Sequence, residues 1–191
     1  MATSTSSADG PLYFWRETDP ATGWLSQWYY CPFRDDEDPS RVYDTAEHYM
    51  MYHKAMLFND AAVAAKVLTA GHPRNVKALG RKVANFSEPT WTQHREAIVR
   101  RGNALKFTAA VAEDGLRMGS GRGAPLLDGS LREMLLRTGE REIVEASPYD
   151  AIWGIGFTEK AAEGTRAQWG QNLLGRALME VRKTLREQQA M

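Results

Sequence analysis

Toward the C-terminal end, Leu173, Leu174, Ala177, Leu178, Val181 and Leu185 recur at helical spacing, while Arg176, Glu180, Arg182, Lys183 and Glu187 take the other face. An apolar stripe of that width does not stay in water. The helix expected over Trp169 to Glu187 must therefore lie on a core made by the rest of the chain. With 191 residues, 43% hydrophobic and 25% charged, the chain is long enough to enclose such a core and suits one globular domain rather than two.

Residues 1–10, rich in Ser, Thr and Ala without apolar periodicity, read as a disordered leader, so the folded domain is expected over 11–191. From Leu12 to Tyr30 the chain is dense in aromatics, punctuated by Asp19, Pro20 and Gly23, which predicts two short strands joined by a turn. Arg34 to Ser40 reads as a surface turn, after which Thr45 caps a helix from Ala46 through Phe58. Further helices are expected from Asp60 to Ala70 and from Pro73 to near Gly80. Ser87 with Thr90 opens a stretch from Glu88 to Ala112, read as two helices hinged near Gly102. The Gly-rich segment 115–128 reads as a loop insertion. Asp128 or Ser130 then caps Leu131 to Arg137, and Glu142 to Ala146 is a short strand. The sum is an α+β class: a single, mostly helical domain whose small N-terminal β-sheet packs on the helix carrying Glu47 and Lys54.

Lys and Arg number 24 and Asp and Glu number 24, so there is no excess basic charge to hold a polyphosphate backbone non-specifically. A local basic patch stays open, because net charge says little about one cleft. The single cysteine, Cys31, excludes an internal disulfide and any zinc site with two thiolates, and fits a reducing compartment. The expected address is the cytoplasm, with the nucleus second. No basic flank and apolar run of a signal peptide opens the chain, and no apolar stretch nears the roughly 20 residues that span a bilayer.

Two constellations carry chemistry-bearing residues. On a helix Glu47, Met51, Lys54 and Phe58 share one face, with Glu47 and Lys54 separated by a rise of about 10.5 Å, which suits the two ends of one small ligand. A solvated helix face is the plainer reading from spacing alone. His48 and His53 lie about 140° apart around the helix, unlike the i, i+4 pair of a zinc helix, so no metal site is expected. In the second, Glu145-Ala-Ser147-Pro148-Tyr149-Asp150-Ala-Ile152-Trp153-Gly154-Ile155-Gly156, a carboxylate precedes a tryptophan by three positions and two glycines let backbone come close to a ligand. An indole stacks on a planar base while a carboxylate fixes a hydroxyl or moves a proton. A capped turn with a buried Trp fits that segment equally well.

In order along the chain, Thr45-Ala-Glu47-His48-Tyr49-Met50-Met51 with Lys54-Ala55, Lys77-Ala-Leu-Gly80-Arg81, Trp91, Lys106-Phe107, Glu145-Ala-Ser147 with Asp150 and Trp153-Gly154, and Asn172-Leu-Leu-Gly175 with Leu178-Met179 and Arg182 resemble the NADAR (YbiA-like) N-glycosidases. Members of that family hydrolyse ribosylated aminopyrimidine intermediates of riboflavin synthesis or remove ADP-ribose from guanine. The chain departs from the pattern at Leu25-Ser26-Gln27-Trp28, where the family often carries Ser-Asn-Phe, and in the insertion over 115–128.

The resemblance implies cleavage of the C–N bond between ribose and an exocyclic amine. It assigns catalysis to Glu47 as proton shuttle, to Lys54 as candidate nucleophile with Lys106 second, and to Asp150. Two routes stay open: a Schiff base on Lys54, or direct hydrolysis with a carboxylate positioning water. Substrate binding falls to Phe14, Trp91 and Trp153 as stacking groups, Arg81 as phosphate partner, and His48, Gly154 and Asn172. Neither route requires a cofactor or metal. The partner implied is a small ribosylated base or an ADP-ribose-modified nucleotide, extending to ADP-ribosylated nucleic acid, with no membrane. The rival reading is a non-catalytic ADP-ribose or nucleotide-binding module.

Overall fold

Helix starts in this chain follow its short polar side chains. Thr45 accepts the N–H of His48, Asp60 that of Val63 and Ser87 that of Thr90, while Ser130 and Glu133 form a reciprocal capping box. The computed structural model describes residues 10–111 and 130–191. The expected leader, Gly10 aside, and the expected insertion lie outside them.

Along these residues run β1 (Leu12–Phe14), a 3-10 turn (Gly23–Leu25), β2 (Phe33–Arg34), β3 (Val42–Tyr43), α1 (Ala46–Leu57), α2 (Ala61–Thr69), α3 (Pro73–Gly80) and α4 (Glu88–Thr108). They continue with α5 (Leu131–Arg137), β4 (Ile143–Glu145), α6 (Glu159–Ala162), a second 3-10 segment (Glu163–Gln168) and α7 (Leu173–Gln189). The architecture is the expected mostly helical α+β domain. Helices α2, α3 and α4 pack around α1, and α7 lies across α4 and β4. Among the described residues no helix is long and apolar enough to cross a membrane.

Strand pairing differs from expectation. β1 runs parallel to β4, with Leu12 opposite Ile143 and Phe14 opposite Glu145, and β2 pairs antiparallel with β3 around the acidic turn. The aromatic stretch supplies only one strand, because the fully buried Lys106 draws the carbonyls of Trp24 and Ser26 to its ammonium at 2.7 and 2.9 Å. Oxygens engaged there are not offered to a ladder. Helix α7 starts at Leu173 rather than Trp169, since Asn172 takes a left-handed conformation (φ +48°) and Trp169 closes the preceding 3-10 segment. Arg182, expected on the solvent face, is buried and donates to the Thr138 hydroxyl at 2.7 Å.

Helix α4 is continuous through Gly102. The glycine serves close packing rather than a hinge: a Cβ there would stand 2.5 Å from the Tyr49 ring. Tyr49 is itself wedged between Tyr43, Phe33 and His53, at ring-centroid distances of 5.0, 6.2 and 4.1 Å. In an open helix Gly→Ala stabilises by about 1 kcal/mol. Here the overlap outweighs that gain, so Gly102→Ala is expected to destabilise the protein by roughly 1–3 kcal/mol, read as a lower urea midpoint.

Candidate active site

Four residues of α1 at i, i+3, i+4 and i+7, Glu47, Met50, Met51 and Lys54, form one wall of a cleft of about 910 Å³. Lys77 and Arg81 border it from α3 and its end, Trp91 from the first turn of α4, and Trp15 and Trp28 from the N-terminal segment. Glu145, at the end of β4, and Asp150 and Trp153, in the loop after it, close the far side.

Glu47 is 6% exposed. Burial is the largest influence on its carboxyl and pushes its pKa up to about 7, aided by the charge of Asp150 and opposed by Lys77, a hydrogen bond from Trp28, and Lys54. Glu145 behaves alike: burial, then Asp150 and Glu47, lift it to about 8 against Lys77. Its Oε2 is buried with no hydrogen-bond partner among the described residues. Asp150 Oδ1 accepts the N–H groups of Ile152 and Trp153 at 2.9 and 2.8 Å, which turns the chain so that Trp153 faces the cleft. The Lys54 Nζ donates to the Gly80 carbonyl at 2.8 Å and sits 4.2 and 5.4 Å from the ring centroids of Phe86 and Trp91. Burial lowers its pKa, partly offset by Glu88 and Glu47.

Of the residues expected from sequence, the structure brings Glu47, Lys54, Asp150, Arg81, Trp91 and Trp153 to this cleft. Four others stand behind it. Phe14 is in the core on β1. His48 is buried with Nδ1 2.8 Å from the Thr45 hydroxyl and Nε2 2.7 Å from the Ala70 carbonyl, so both ring nitrogens are occupied. Gly154 packs on β4, where a Cβ would stand 2.6 Å from the Glu145 carbonyl oxygen; the close approach expected toward a ligand is made toward a strand instead. Asn172 accepts the Glu145 N–H at 3.0 Å and donates to the Ile143 carbonyl at 3.0 Å. Lys106, the second candidate nucleophile, is fully buried on the Trp24 and Ser26 carbonyls, outside the cleft.

Among the cleft residues with no role assigned from sequence are Glu145, Lys77 and Trp28. Glu145 and Lys77 each open a block of the family resemblance, which was the available signal. Among the described residues no three His, Cys, Asp or Glu side chains gather as a metal shell. The site thus offers two carboxyls that hold protons near neutrality, a desolvated amine, and indole walls that suit a planar ring.

A helical α+β domain with such an acid-lined, aromatic-walled cleft has the make-up of an enzyme. The NADAR domain family model matches residues 13–186, and the chain belongs to that family. It is similar to N-glycosidase R617 of Acanthamoeba polyphaga mimivirus, 38% identical over 163 residues that cover 83% of this chain and 85% of that one. It is also similar to a riboflavin biosynthesis protein of Vibrio vulnificus, 29% identical over 93% of this chain and 39% of that longer one. N-glycosidase YbiA of Escherichia coli is 26% identical over 76% of this chain and 72% of its own. The NMR structure of that protein superposes with a TM-score of 0.69, covering 95% of this chain and 88% of that one at 24% identity, a likeness of fold. With this kinship the chain is a hydrolase of the N-glycosidase class.

Because folding raises both glutamate pKa values from 4.5, to about 7 and about 8, the folded state binds more protons across that window and loses stability as pH rises through it. Glu47→Gln removes one such penalty. The variant is expected to melt higher than wild type near pH 9, with the gain vanishing below about pH 4.5, as followed by thermal unfolding across pH.

Proposed function

We propose that the cleft hydrolyses the C–N bond between ribose and the exocyclic amine of a planar base, in ribosylated aminopyrimidines of riboflavin synthesis or in ADP-ribosylated guanine. The observation that carries this reading is the meeting of Glu47, Lys54 and Asp150 along one cleft whose walls are indoles. The substrate classes come from the family resemblance and, for the first, from the name of the Vibrio relative. A free metabolite or nucleotide is the partner, with ADP-ribosylated nucleic acid as the larger form, in a reducing, cytoplasmic setting. No cofactor is needed for the steps below.

Trp153 and Trp91 hold the base, and Arg81 pairs a ribose phosphate or pyrophosphate. The aminal opens its sugar ring to an imine. Lys54, whose lowered pKa increases its share of neutral amine, adds to the sugar carbon. The base then leaves as its amine, the C–N electron pair remaining on nitrogen with a proton, and water hydrolyses the lysine-linked sugar. Glu47 carries the protons that ring opening and exchange require. A binding module would gain little from two buried carboxyls and an amine, whose desolvation opposes folding.

Two measurements test the proposal. Incubation with a ribosylaminopyrimidine phosphate and with a guanine-linked ADP-ribose oligonucleotide, followed by chromatography with mass detection, is expected to show base release from one of them. Glu47→Gln is expected to lower turnover by roughly 10²-fold or more; full turnover by the variant removes Glu47 from the chemistry. Borohydride added during turnover is expected to leave a sugar on Lys54. An active enzyme that never yields that adduct points to direct attack by water, with Lys54 confined to binding.

A further inference from the structure

We infer that Glu145 is a catalytic acid of this cleft, delivering the proton that lets the base depart as a neutral amine; this rests on the N-glycosidase reading above. Two features of the geometry carry it. The first is its unanswered oxygen. Oε2 is buried without a hydrogen-bond partner among the described residues, although Glu145 lines the cleft. A buried oxygen left unpaired disfavours the carboxylate, so the carboxyl keeps its proton while the residue, only partly buried, borders the ligand space.

The second is how rigidly the residue is held. Its N–H donates to the Asn172 side chain at 3.0 Å, its carbonyl accepts the Ile155 N–H at 2.9 Å, and the absent side chain of Gly154 leaves room beside its Cγ. Asn172 does this from a left-handed backbone (φ +48°), a conformation in which Asn is among the better-tolerated residues, and its amide also ties down Ile143. Backbone anchored through both its N–H and its carbonyl, with the carboxyl not tied by them, is the arrangement of a group that must present one atom accurately.

The charges around Glu145 explain why it carries the proton. Asp150 and Glu47 face it with negative charge and Lys77 alone opposes them, while burial disfavours the carboxylate further. Of these two glutamates Glu145 is raised further, to about 8 against about 7 for Glu47. During cleavage the Glu145 proton passes to the departing nitrogen as the C–N electron pair settles there. The carboxylate left behind recovers a proton from the water, or from the lysine amine, that adds to the sugar carbon. Proton and electron counts therefore close in either route.

A series of N-ribosyl anilines bearing methoxy, hydrogen or nitro substituents separates this role from a structural one. Glu145→Gln is expected to lose roughly 10²-fold or more in kcat on the methoxy compound and much less on the nitro compound, whose amine needs less protonation to leave. Equal loss across the series, or none, overturns the proposal. Carbon-13 NMR of side-chain carboxyls, with Glu145→Gln for assignment, gives a second, substrate-free test in wild-type protein. A Glu145 titration well above the ordinary value of about 4.3 is expected, and one at that value overturns the proposal. If wild type cleaves none of these compounds nor either substrate above, the N-glycosidic reading fails, and the titration still decides whether Glu145 keeps its proton.

Discussion

A helix buried over most of its length leaves few charges to water, and α1 is such a helix. Ala46 through Tyr52 and Ala55 are all buried and Lys54 is partly buried, so the chemistry-bearing residues of the helix have separate solutions. His48 satisfies both nitrogens within the fold, one on the cap hydroxyl of its own helix and one on the end of α2. Lys54 reaches the last carbonyl of α3 and the faces of two aromatic rings. Among the described residues Glu47 has no ion pair at contact, and burial raises its pKa. The helix thus divides its work: Tyr49, Tyr52 and Ala55 belong to the aromatic core, and Glu47, Met50, Met51 and Lys54 to the cleft.

The opposite wall depends on a sheet of two parallel strands distant in sequence. Pairing of Phe14 with Glu145 sets the end of β4, and Asn172 fixes it from the start of α7. The amphipathic C-terminal helix therefore does more than close the core. It is the support on which an acidic side chain is aimed into the cleft. Lys106 plays a comparable part on the N-terminal side, where its ammonium gathers the Trp24 and Ser26 carbonyls and so holds the segment that carries Gln27 and Trp28 over Glu47.

How much of this could be read beforehand follows from the range of the forces involved. Caps act within three residues, and Thr45, Asp60, Ser87 and Ser130 mark helix starts in the sequence as they do in the fold. Spacing of seven on a helix is equally local, so the shared face of Glu47 and Lys54 was legible. The aromatic stretch misled because its second half answers to Lys106, some eighty positions away. Gly102 read as a hinge, since nothing nearby in sequence reveals that the Tyr49 ring occupies the space of its missing side chain. Glu145 read as part of a strand and as the head of a family block; that the charge of Glu47, far away along the chain, acts on it is a long-range fact.

By itself, then, the sequence determined the helical character of the chain, its caps, its acid-amine wall on α1 and the family it resembles, because each depends on neighbours within a few residues or on ordered blocks. Tertiary structure decided which of those residues meet. It turned His48, Phe14, Gly154 and Asn172 toward support, and assembled Glu47, Glu145, Asp150 and Lys77 around one cleft. The proton affinity of that cluster belongs to no single residue, since burial and mutual repulsion arise only when separate segments fold against each other.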